Sequence, residues 1–108
     1  MNHSEISRQL AELIAENQRG STALFETEKA LAEAEYALDT TEQKAFLKAQ
    51  GTVADRNALA RLESAENRLQ RDLRRAEHNR VKVKIKAIET GIMALGTQAK
   101  LMQSEARL

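Results

Sequence analysis

The chain has no proline and only four glycines, Gly20, Gly51, Gly91 and Gly96. These are the two residue types that interrupt helices most strongly, so long stretches contain nothing that forces a break. Cysteine is also missing. That excludes a disulfide framework and thiol chemistry, and it suits a reducing compartment. Aromatic residues number three, Phe25, Tyr36 and Phe46. All lie in the first half, where packing in a core or interface is their expected role. No apolar run approaches the roughly 18 residues of a membrane span. The opening Met1-Asn2-His3-Ser4-Glu5 has neither the basic nor the apolar region of a signal peptide. The expectation is a soluble, cytoplasmic protein with no contact to membranes.

What is present is helical spacing on both sides of one interruption, Gly51-Thr52. Gly at C′ ends a helix, Thr at the N-cap starts the next, and Asp55 at N3 can reach back to close a capping box. The chain of 108 residues therefore reads as one domain. Its fold class is all-α, a long antiparallel, coiled-coil-like helical hairpin. The first arm runs over about 4–50, the turn over 51–52 and the second arm over about 53–106. At 1.5 Å per residue the arms would be roughly 70 and 80 Å long. Two helices give a seam and no enclosed interior, so assembly into a multi-helix bundle, as a dimer of hairpins, is expected.

In the first arm, Ile6, Leu10, Leu13, Asn17, Gly20, Leu24, Thr27, Leu31, Ala34, Leu38, Thr41 and Ala45 follow alternating steps of four and three. That spacing keeps one edge against a neighbouring helix. Asn17 interrupts the leucines. It either sets register from inside the seam or marks a frayed, solvent-facing stretch. Asn2 and Glu5 are spaced for an N-terminal capping box, with Ser4 as the competing cap. Gly20-Ser21-Thr22 could bend the arm or end it, with Ser21 capping a restart, and a continuous or mildly kinked arm is the expectation.

The second arm opens with Leu59, Leu62, Ala65, Leu69, Leu73 and Ala76, and resumes with Val81, Ile85, Ile88, Ile92, Leu95, Ala99 and Met102. Joining the two sets requires successive steps of four from Leu73 through Glu77 to Val81. An insertion of this kind unwinds a heptad repeat locally, so Glu77-His78-Asn79-Arg80 is the candidate for a bend or a change of packing partner. Val81-Lys82-Val83-Lys84-Ile85-Lys86 also alternates with period two. Nothing nearby offers a second strand, so helix is expected there too.

The net charge of +1 conceals an asymmetry: residues 1–50 carry net −4 and residues 51–108 net +5. An acidic and a basic arm would attract each other. Glu28, Glu35 and Glu42 recur every seven residues, as do Arg61, Arg68 and Arg75. Folding about Gly51-Thr52 sets Glu42 across from Arg61, Glu35 from Arg68 and Glu28 from Arg75. On the leucine-based heptad, however, the glutamates fall at e and the arginines at g or c, where antiparallel partners do not meet.

No constellation suggests catalysis. His3 and His78 are far apart, and Arg74 and Lys82 occupy the helical neighbours of His78 where a metal set would need ligands. There is no phosphate-cradling glycine loop, and hairpins rarely enclose the dry pocket that acid–base chemistry needs. The expectation is a protein that is not an enzyme and holds no metal or cofactor. The one concentration of charge is residues 68–86, net +6. Within it Arg68, Arg71, Arg75, His78, Lys82 and Lys86 are candidates to contact nucleic acid phosphates or an acidic partner. No aromatic interleaves them to stack bases. Pairing with the acidic arm is the alternative.

The run Lys44-Ala45-Phe46-Leu47-Lys48-Ala49-Gln50-Gly51-Thr52-Val53-Ala54-Asp55-Arg56-Asn57-Ala58 resembles one in small helical-hairpin proteins of tailed bacteriophages. The tail from Ile92 to Leu95 and from Leu101 to Ala106 is similar to theirs. The likeness covers about residues 30–106. Those proteins are often encoded among genes for recombination, single-strand annealing or replication. The resemblance implies an accessory role in the host cytoplasm and brings no catalytic residues. The expected function is a non-enzymatic, phage-type interaction or adaptor protein near DNA recombination or replication machinery. The alternatives are nucleic-acid binding through the basic stripe and inhibition of a host enzyme or defence protein. The expected partners are itself, an unidentified protein and, under the first alternative, nucleic acid. The residues expected in the hairpin and oligomer seam are Leu10, Leu13, Leu24, Leu31, Leu38, Leu62, Leu69, Leu73, Val81, Ile85, Ile88, Ile92 and Leu95.

Overall fold

The computed structural model describes residues 2–107. Its elements are α1 (His3–Lys48), α2 (Val53–Glu63) and α3 (Ala65–Arg107), with no strand among the described residues. The fold is all-α and belongs to the helical-hairpin, coiled-coil-like class. The chain divides into two compact units. One joins Met1–Leu24 with Arg80–Leu108, and is called the terminal unit below. The other is the single stretch Phe25–Asn79, the turn unit.

Each helix boundary has a local cause. Asn2 caps α1, accepting at Oδ1 from the Glu5 amide at 2.8 Å while its own amide group donates to the Glu5 carboxylate at 3.4 Å. The turn after α1 uses the left-handed conformation of Gly51, φ 108°. Thr52 then caps α2. Its hydroxyl accepts from the Asp55 amide at 3.1 Å, and the Asp55 carboxylate accepts from the Thr52 amide at 3.3 Å. Cap and glycine together satisfy donors and conformations that would otherwise be costly.

The expected continuous second arm is broken once, at Ser64. This residue is fully buried, and its hydroxyl donates to the Ala60 carbonyl at 2.7 Å. A hydroxyl that competes for a backbone carbonyl distorts the helix at that point. The bend expected over residues 77–80 is absent, because α3 passes through it unbroken. The boundary between the two units does fall there, at Asn79 and Arg80.

All twelve positions of the first-arm series, from Ile6 to Ala45, are buried or half-buried. In the terminal unit they meet the expected α3 series. Val81, Ile85, Ile88, Ile92, Leu95, Ala99 and Met102 are likewise buried or half-buried. Gly20 permits a close approach, since a β carbon there would sit 2.9 Å from Ile85 Cγ1. Asn17 lies within this seam and faces no solvent with its oxygen, whose Oδ1 is buried and without a hydrogen-bond partner.

A buried, unpaired carboxamide oxygen lowers stability by about 1–3 kcal/mol. Asn17→Leu is therefore expected to raise the urea midpoint without changing the denaturant slope. An unchanged or lower midpoint would count against the buried placement. Gly51→Ala is expected to lower stability by about 1 kcal/mol in the same assay, because alanine is strained at positive φ.

Candidate interaction surface

The turn unit departs from the expected packing, and its candidate site follows from that departure. Counting back from Val81 in steps of three and four reaches His78, Arg74, Arg71, Asn67, Ser64 and Ala60. All six are buried or half-buried. They, and not the leucines, face α1. Leu59, Leu62, Ala65, Leu69, Leu73 and Ala76 are all exposed. Leu62 shows 73% of its surface, Leu69 52% and Leu73 47%. The expected hairpin contacts of Leu62, Leu69 and Leu73 are thus corrected. The heptad phase set by Val81 to Met102 runs through the turn unit without a slip, which puts those leucines on the side of the helix opposite the seam.

The inward polar groups have partners. Thr27 Oγ1 and His78 Nδ1 share a hydrogen bond of 3.1 Å. Arg68 Nη2 lies 3.6 Å from the Glu42 carboxylate and donates to Ser64 Oγ at 3.2 Å. Arg75 lies 3.8 Å from Glu35. Each arginine thereby takes the glutamate one heptad nearer the turn than expected. Side chains on a helix lean toward its N-terminus, so an arginine of α3 reaches toward the turn and a glutamate of α1 reaches away from it. With the corrected phase the arginines fall at e, which removes the mismatch seen in the sequence.

The basic residues therefore do not form one stripe. Arg71 and His78 turn into the seam, with Arg71 Nε bonded to Asp72 at 2.8 Å. Arg68 and Arg75 are engaged by α1 glutamates. Lys82 and Lys86 are exposed, and no ion pair involving them is among those of the described residues.

One residue that matters to the turn unit is invisible to spacing rules. Arg56 donates from Nε and Nη2 to the Phe46 carbonyl at 3.2 and 3.1 Å, and its guanidinium sits 4.1 Å from the Phe46 ring centroid. It satisfies a carbonyl in the last turn of α1, where a cation also complements the helix dipole. Beside it an open groove of about 450 Å³ is lined by Asp39, Glu42, Gln43, Leu47 and Asn57, with Phe46 and Ala60 at its base.

What the turn unit presents outward is a row of leucines with acidic neighbours. Glu63, Asp72 and Glu77 flank the row, Glu66 stands within it, and all four are exposed. A solvent-facing leucine row that runs from α2 past Ser64 into α3 is the feature that a second helix would cover. Among the described residues, no group of three or more His, Cys, Asp or Glu side chains could hold a metal. No helix is long and apolar enough to cross a membrane. Comparison with protein families, curated proteins and solved structures returned no match.

Leu38 and Leu69 separate the two faces experimentally. Leu38 is 5% exposed, so Leu38→Asp buries an unpaired charge and is expected to cost about 3 kcal/mol. Leu69→Asp is expected to leave far-UV helicity and the urea midpoint of the single chain nearly unchanged. A Leu69→Asp chain that unfolds would show that the leucines pack inward.

Proposed function

We propose that the protein is a non-enzymatic helical interaction protein that binds other helices on the outward leucine face of α2 and α3. The observation that supports this is the exposure of Leu59, Leu62, Leu69 and Leu73 opposite a seam that is already filled by polar and small residues. Exposing such a row costs solubility and is retained where something covers it. The setting we propose is that of a phage-type adaptor beside DNA recombination or replication machinery, in the cytoplasm of the host. That part rests on the likeness of residues 44–58 and 92–106 to small phage proteins.

A second reading is favoured by a separate observation. Arg80, Lys82, Lys84 and Lys86 are exposed and belong to no ion pair among the described residues. A cluster of this kind can follow phosphates without reading bases. The engaged Arg68 and Arg75 leave fewer free cations for this than the sequence suggests, so binding would be weaker, and its salt dependence shallower, than the full set of cations would give.

The full chain as bait, read by mass spectrometry, is expected to recover a recombination or replication protein in stoichiometric amount. The Leu69→Asp/Leu73→Asp variant is expected to lose it. Equal recovery by the variant would overturn the leucine face as the docking surface. For the second reading, a DNA gel shift at low salt that vanishes in Arg80→Glu/Lys82→Glu would support phosphate binding. No shift at low salt would remove it.

A further inference from the structure

The outward face of α3 in the terminal unit differs in kind from the leucine row. Val83, Ala87, Thr90, Ala94, Thr97 and Leu101 follow steps of four and three and are all exposed. Four of these six are alanine or threonine. The two threonine hydroxyls are already spent on the helix: Thr90 donates to the Lys86 carbonyl at 3.0 Å and Thr97 to the Met93 carbonyl at 3.1 Å. Each has thereby used its one donor, and its methyl group adds to the apolar surface. The result is a shallow apolar floor of small groups, bounded by Val83 and Leu101. Lys84, Lys86 and Lys100 border it.

The leucine face of the turn unit is the converse in size and charge. It projects large side chains, and its borders are acidic at Glu63, Asp72 and Glu77. Pairing that face with a second copy of itself would set acid against acid, with Glu66 inside the row. Pairing it with the small-residue face removes both problems. Large side chains over small ones interdigitate closely, and opposite charges meet at the border.

We propose that the partner covering the leucine face is a second copy of this chain, which contributes the small-residue face of its own α3. This deepens the interaction reading and rests on it. With the two α3 helices antiparallel, Leu73 of one copy lies beside Val83 of the other. Asp72 then borders Lys86, and Glu77 borders Lys84, in either of the two neighbouring registers that keep leucines over alanines and threonines. A mutual exchange of faces closes a two-fold dimer. The contact uses the exposed acids and lysines as register marks, since exposed ion pairs select more than they stabilise.

The test is sedimentation equilibrium of the full chain and five variants, Leu69→Asp/Leu73→Asp among them, each checked for helicity by circular dichroism. Wild type is expected to be a dimer. Asp72→Lys/Glu77→Lys and Lys84→Glu/Lys86→Glu are each expected to weaken association at least tenfold. The fourfold swap that combines them is expected to restore it to within about threefold. Leu69→Asp is expected to be a folded monomer. Loss of the in-helix neighbours Arg71–Asp72 and Arg74–Glu77, 2.8 Å each, is common to the first variant and the swap, so the rescue isolates the contact between copies. A monomeric wild type, reversals without effect, or a swap that fails to rescue would each overturn the proposal. If wild type is a monomer and Lys84→Glu/Lys86→Glu instead abolishes a low-salt DNA shift, the lysines serve phosphates and the proposal falls. If wild type is a monomer while Leu69→Asp/Leu73→Asp still loses a recombination or replication protein, self-pairing fails and the docking face stands. If that variant keeps both the dimer and the partner, the two readings fail together.

Discussion

An α-helix has one phase, and α3 keeps it for 43 residues. The apolar set Val81, Ile85, Ile88, Ile92 and Leu95 fixes which side of that helix meets α1 in the terminal unit. Twisting the helix to bring a different side inward nearer the turn would need an insertion that unwinds the backbone ladder and sacrifices hydrogen bonds. The chain does not make that sacrifice. Asn67, Arg71, Arg74 and His78 are carried inward by the phase alone, and Leu69 and Leu73 are carried out; across the break at Ser64, α2 keeps the same sides, with Ala60 inward and Leu59 and Leu62 outward.

The energetic consequences differ between the units. In the terminal unit, branched and leucine side chains face one another, and the absence of a side chain at Gly20 lets Ile85 pack against the α1 backbone. Its one defect is Asn17. A polar group at a single seam position destabilises, and it also disfavours neighbouring registers in which it would meet still more apolar surface. In the turn unit the leucines of α1 meet small and polar residues, so burial contributes less. Directional contacts take a larger share: the Thr52–Asp55 box, the grip of Arg56 on Phe46, the Thr27–His78 bond and the reach of Arg68 and Arg75 to α1 glutamates. Such contacts specify geometry well and add only modest net stability.

Much of this was legible beforehand. The first-arm series matches the buried side of α1 at every position, because a single apolar edge with alternating steps has one reading. Thr52 and Asp55 announced the start of α2 by residue type alone. The opening of the second arm misled for a definite reason. Weighting positions by hydrophobic size follows the leucines, and that helix is amphipathic with its larger side chains on the outside. Two signs in the sequence pointed the other way. Following the leucines demanded a slip, and it left Arg61, Arg68 and Arg75 at positions where Glu28, Glu35 and Glu42 could not meet them. Counting back from Val81 removes both difficulties. Arg56 had no such sign, because its partner is a backbone carbonyl and a ring at the far side of a turn.

The split of charge between the halves of the chain now has a more exact meaning than attraction between two arms. Only part of it is spent inside the hairpin, through Arg68 with Glu42 and Arg75 with Glu35. Arg71 and Arg74 are taken up by neighbours on their own helix, Asp72 and Glu77. The exposed charges along α3, Asp72 and Glu77 included, are nonetheless segregated. Acids border large leucines and lysines border small residues. Random surface charge would not sort itself by the size of the apolar residues beside it. A helix that carries a projecting acidic face and a flat basic one has the two halves of the self-contact proposed above.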